Sequence, residues 1–172
     1  RSAQLKALRA AFVPWLATIH VGTGEPMRRV ERLARLPAES RPLIRALIDR
    51  RLLLTDLRDG EAVVEVAHES LLRHWSLLAG WLREQHEDLK DAERLELDAR
   101  AWGEAGSRKA TLWEGERLAN AEVLAGKPGF GDRLAPTREF LQASRAHETR
   151  RRAEAEQLAR AELEAARGQQ AV

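Results

Sequence analysis

Cysteine is absent from the chain. That excludes disulfide bridges and zinc–thiolate sites, and it suits a reducing compartment, so a cytoplasmic location is expected. No secretory hydrophobic region occurs, and no apolar run reaches the roughly 18 residues needed to span a bilayer. An excess of charge of one sign is also missing: 29 Lys and Arg stand against 27 Asp and Glu, for a net charge of +2. That balance gives no support to phosphate-backbone binding spread over the whole surface. Nor is there a phosphate loop of the GxxxxGK[ST] type. The nearest stretch, Gly22-Thr23-Gly24-Glu25-Pro26, lacks the lysine that would reach the phosphates. His68 and His74 are six apart and point to different helix faces, His86-Glu87-Asp88 is a helix-end polar cluster, and HExxH spacing is absent, so no metal is expected. Ser70 and Ser76 fall inside helices without an oxyanion device. The chain alone is therefore not expected to be an enzyme, and no cofactor is expected within it.

What is present is enough for one or two small helix-rich domains: 172 residues, 44% hydrophobic and 33% charged. Leu5, Leu8, Phe12, Trp15 and Leu16 recur at spacings of three and four, predicting a first amphipathic helix that Pro14 kinks. The glycines at 22 and 24 break it. A short strand around 27–30 and a short helix around 33–36 follow. Ser40 predicts an N-cap, with Pro42 in the first turn of a helix whose buried stripe is Leu43, Ile44, Leu47 and Ile48. Residues 52–57 and 62–67 read as two strands joined at Asp59-Gly60, the pair that a two-residue hairpin connection prefers. Val64 and Val66 are expected to face the core and Glu65 water. Helix, strand, helix, helix, strand, wing, strand is the order of a winged-helix domain.

The remainder predicts helices. One runs over 69–85 with Leu71, Leu72, Trp75, Leu78, Trp81 and Leu82 on one face. A second carries Leu95, Leu97, Ala101 and Trp102 and ends at the glycines 103 and 106. A third carries Leu112, Trp113, Leu118, Val123 and Leu124 and closes at Gly126-Lys127-Pro128-Gly129. From Pro136 a last helix starts on Phe140 and Leu141, then turns almost wholly to Ala, Arg and Glu. Its Glu156/Arg160 pair supports helix, but Leu158 and Leu163 alone do not make a coiled-coil seam, so a solvated spacer is expected. The expected fold class is mainly α: a winged helix with a small hairpin wing over residues 1–86, a helical domain over 87–144, and a long charged C-terminal helix over 145–172. The five tryptophans read as core. The chain opens on Arg1 and ends in GQQAV, and the expectation is a piece of a longer protein.

His68 is the leading candidate for chemistry. It falls where a strand ends and a helix starts, near unpaired backbone N–H groups that tolerate anions, although a junction histidine more often serves as a structural hydrogen-bonder. Around it, VEVAHESLLRHW resembles the His-Asp-Leu-Leu motif that closes the winged helix of STAND ATPases, the class that includes NLR immune receptors and apoptotic ATPases. The matching positions are Ala67, His68, Glu69, Leu71, Leu72 and Arg73, with Ala67 in place of the usual Met and Glu69 in place of the usual Asp. The resemblance implies that His68 reaches the β-phosphate of ADP held by a separate nucleotide-binding core. A further similarity, from about Ala11 to Arg152, is to bacterial STAND proteins whose core precedes a C-terminal sensor, often a WD-repeat propeller. RLLLTDLRDGEAVVEVAHESLLRHWSLLAGWL, RLELDARAW, LWEGERLANAEVL and APTREFLQASRAHETRRR carry it, in the same order. It implies a relay module with an NTPase domain upstream, a sensor downstream, and ADP or ATP as ligands of the parent protein.

Arg45, Arg50, Arg51 and Arg73 are the candidate interface residues. The rival function is DNA binding, since winged helices often place the third helix in the major groove. Over 39–61, however, Arg41, Arg45, Arg50, Arg51 and Arg58 meet Glu39, Asp49, Asp56, Asp59 and Glu61. Five against five is a locally neutral face, and an acidic wing repels phosphate, so DNA is an unexpected partner. A purely structural scaffold is the third reading.

Overall fold

A computed structural model describes residues 1–108 and 111–171, leaving residues 109–110 of the expected helical domain and the last residue of the expected tail outside it. The chain is mainly α. The first helix, α1 (Ser2–Ala11), stops three residues before Pro14 and gives way to a wide turn over Phe12–Leu16. The cause is local: Pro14 has no N–H to donate, and the residue before a proline is pushed toward extended backbone. Val13 accordingly sits at φ −122°, ψ 115°. The kink is thus an exit, and it delivers the chain into a short strand, β1 (Ala17–Ile19), which pairs antiparallel with β2 (Pro26–Arg28). This hairpin was not foreseen. Its turn is held by the His20 ring nitrogen Nδ1, which accepts the N–H groups of Gly22 and Thr23 at 3.1 Å each.

A second sheet has the order β3 (Glu31–Arg32), β5 (Glu61–Val66), β4 (Leu53–Arg58), all antiparallel. Leu53 pairs with Val66 and Arg58 with Glu61, leaving Asp59 (φ 51°) and Gly60 (φ 77°) as the two-residue connection. Positive φ at both positions is what such a turn demands. Val64 and Val66 are fully buried as expected; Val63 is buried too, because β5 is the central strand and is covered on both faces. Between β3 and β4 lie two single 3₁₀ turns, Leu33–Arg35 and Ala38–Ser40, and α2 (Arg41–Asp49). Ser40 does precede α2, but its buried hydroxyl does not cap that helix. It donates instead to the Ala7 carbonyl at 2.6 Å and ties α2 to α1.

The helix expected over 69–85 is two helices, α3 (Ser70–His74) and α4 (Ser76–Glu84). Between them Trp75 adopts extended backbone (φ −81°, ψ 98°). No glycine or proline explains the break; tertiary packing does, since the Trp75 ring meets Phe12 edge-on at 5.4 Å and Trp81 at 6.4 Å. Then come α5 (His86–Glu104), α6 (Gly115–Ala125), α7 (Phe130–Arg133) and α8 (Arg138–Gln170). One continuous apolar core runs from Ala11 and Phe12 through Val64, Leu78 and Leu89 to Phe140 and Leu141. Trp102 and Trp113 both pack edge-on against Phe140. Leu97 and Val123, expected on buried faces, are exposed. Beyond Arg150 every described residue of α8 is exposed. Among the described residues no helix is long and apolar enough to cross a membrane.

Candidate functional site

His68 lies two residues beyond β5, at the entrance to α3, and its side chain is exposed. The backbone around it is well fixed: the Ala67 N–H donates to the Leu52 carbonyl (3.0 Å), and the His68 carbonyl accepts the Leu71 N–H (3.1 Å). The ring itself has no hydrogen-bond partner among the described residues. A stiff frame therefore presents a side chain with its polar atoms unspent. α3 has only five residues, too short for a developed helix dipole, so an anion here would depend on side chains.

Cationic side chains do converge on this strand end. The Arg28 guanidinium, brought in by the β1–β2 hairpin, donates through Nη1 to the carbonyls of Val66 (3.3 Å) and Ala67 (3.4 Å), the two residues before His68. Arg73, on α3, reaches Glu25 of the same hairpin at 3.8 Å with both partners well exposed, a pair worth little in stability. Arg28 was not singled out from sequence, because its placement depends on an unforeseen hairpin. Arg45, Arg50 and Arg51 do not form one patch. All three are exposed, but Arg45 and Arg50 lie about 140° apart around α2, five residues at about 100° each. Arg51 closes the helix in the left-handed region (φ 61°), its N–H on the Ile48 carbonyl at 2.9 Å.

The strongest polar arrangement lies elsewhere, and sequence reasoning missed it. Arg133, at the end of α7, is fully buried. Its Nε and Nη2 donate to Glu96 Oε1 at 2.9 and 2.5 Å, Nη2 also to Glu93 Oε2 at 3.1 Å, and Nη1 to the Pro14 carbonyl at 2.9 Å and Thr18 Oγ1 at 3.2 Å. Glu96 passes the charge on through Arg29 (2.9 Å) to Glu31 (2.5 Å), which also accepts from Arg35 at 3.3 Å. Arg35 closes the circuit on the Asp132 carbonyl at 3.0 Å. Three arginines and three glutamates thus join the β1–β2 region to α5 and α7. Burial pushes the Arg133 guanidinium below its ordinary value, with the facing glutamates opposing. Burial likewise raises the Glu93 carboxyl, against the pull of Arg133. A sequence signal existed: Glu93 and Glu96 adjoin the α5 stripe of Leu89, Ala92 and Leu95, where acids need buried partners. Nothing in the spacing marked Arg133 as that partner.

No curated protein and no solved structure matches the chain. A family model described as novel STAND NTPase 1 matches residues 1–110, a span that runs from α1 through α5 and includes His68, the α2 arginines, Glu93 and Glu96. With well over half of its length matched, the chain belongs to the novel STAND NTPase 1 family.

Proposed function

We propose that this chain is the regulatory relay of a STAND-type signalling NTPase. In this reading residues 1–86 are its winged helix, with β4 and β5 as the wing, and they pack on a nucleotide-binding core that precedes them in the parent polypeptide. A sensor downstream, of the WD-repeat propeller kind, acts through α8. The β3–β5–β4 strand order supports the winged-helix assignment. The observation that carries the nucleotide-sensing role is the exposed His68 ring, held on a stiff strand-to-helix junction and engaged by no other described residue. It is poised for a β-phosphate supplied from outside the chain, with Arg28 anchored beside it.

The wing supports a protein partner over DNA. Leu54 and Leu57 are 46% and 71% exposed on β4, and apolar side chains there suit a protein contact better than a phosphate backbone. Mixed charge on α2 and the wing would form the polar part of that contact. The chain itself contributes no phosphate loop, so ADP or ATP binds to the parent's core and this chain takes no catalytic part.

The test is His68→Ala in the polypeptide that includes the core. Loss of one charge-assisted hydrogen bond, about 1.5–3 kcal/mol, should speed ADP release by about ten- to a hundredfold and raise basal activity. Unchanged ADP release would return His68 to a surface residue and remove the support for nucleotide sensing.

A further inference from the structure

An apolar groove of about 510 Å³ opens between α1 and α2. Leu8 on α1 and Phe12 just past its end form one wall; Leu43 and Leu47 on α2 and Arg50 just past its end form the other, at i, i+4 and i+7. The floor is preformed, because Trp75 is already locked edge-on against Phe12. Arg50 is the only charged residue of the lining, and it has no carboxylate partner among the described residues. We propose that this groove is a docking site for an acidic amphipathic helix of a partner. Its apolar residues, at helical spacing, fill the trough, and a carboxylate at its edge meets Arg50.

Two features of the molecule select that occupant. The wall built on the i, i+4 and i+7 row of α2 runs for about two helical turns, roughly 10 Å, which matches the apolar stripe of a helix. The unspent cation at the rim asks for a negative charge on whatever fills the trough. The exposed end of α8 from a second copy fits poorly, since its leucines, Leu158 and Leu163, are five residues apart and do not share a face. Occupancy would bear on Trp75, the residue at which the chain leaves helix between α3 and α4, and so restrain the segment that follows His68. The proposal stands whether or not His68 reads a nucleotide.

The experiment uses two synthetic helical peptides of about 16 residues, long enough for four turns. Both carry leucines at i, i+4 and i+7; one bears glutamates and the other lysines along the flank. Each is titrated against the 172-residue chain while the Trp75 indole N–H resonance is followed. The glutamate peptide should saturate below millimolar concentration and the lysine peptide should bind about tenfold more weakly. Arg50→Glu, at an exposed position that does not endanger folding, should reverse that preference, and Leu47→Asp should abolish both. The proposal is overturned by absence of saturation at millimolar peptide, or by a preference that Arg50→Glu leaves unchanged. Dimerisation of the chain alone, lost in Leu47→Asp, would assign the groove to a second copy and overturn it equally.

Discussion

Replacing Arg133 with methionine fills a similar volume while removing every donor that the buried guanidinium supplies. Glu93 loses its cation, and Glu96 keeps only Arg29. The Pro14 carbonyl and the Thr18 hydroxyl lose their donor in a site closed to water. Breaking a buried ion pair from one side costs about 3–5 kcal/mol, because the surviving charge stays desolvated. At about 2–4 °C per kcal/mol for a chain of this size, the melting temperature should fall by about 6–20 °C. Arg133→Lys, which keeps the charge but not the planar fork, should lose roughly half as much. The decisive comparison is the double variant Arg133→Met/Glu96→Met. A network of desolvated charges predicts that it is less destabilised than the sum of the two single variants. Urea unfolding followed by tryptophan fluorescence measures the parent chain and all four variants. A loss below about 1 kcal/mol in Arg133→Met, or strict additivity in the double variant, would refute the view that this network joins the β1–β2 region to α5 and α7.

Glu93 gives a pH test whose sign is opposite to that of an ordinary paired carboxylate. Its native pKa is raised, chiefly by burial, so the folded chain holds the proton more tightly than the unfolded chain does. Its contribution is favourable below the unfolded value and is lost as pH rises through the raised one. Glu93→Gln should therefore lose less stability than the parent chain as pH rises above the ordinary carboxylate range; superimposable pH profiles in urea titrations would contradict this. Among the described residues, removing everything after Ala155 deletes only exposed ones and leaves Glu148 with Arg145 and Arg152, so stability should change by less than about 0.5 kcal/mol. A larger loss in the same assay would mean that the tail packs on something.

The parts of this fold that local chemistry dictates were readable in the sequence. Asp59-Gly60 specified the hairpin because few other pairs accept positive φ twice, and the valines of β5 carried the strand. The end of α6 at Gly126 and the solvated charge of α8 followed from composition in the same way. What escaped was set by tertiary contact. α3 and α4 separate at Trp75 because its ring is held between Phe12 and Trp81, which no helical periodicity reports. The strand expected around 27–30 overlaps β2, but its partner β1 is three residues, too short to show alternation, so the pairing was hidden. Ser40 occupies the expected capping position, yet its hydroxyl finds the Ala7 carbonyl. The candidate site divides likewise: the junction at His68 was readable, whereas Arg28 beside it depends on the hidden hairpin. Arg133 acquires its role only when residues more than a hundred positions apart meet.

The relay account is tested most directly by hydrogen–deuterium exchange on the parent polypeptide with its nucleotide-binding core, in ADP and in a non-hydrolysable ATP analogue. The account predicts that the His68 junction, α2 and the β4–β5 hairpin are protected with ADP and exchange faster with the analogue, while the Arg133-linked part of α5 and α7 stays equally protected in both. Identical exchange of the His68 junction, α2 and the hairpin in the two nucleotide states would contradict it.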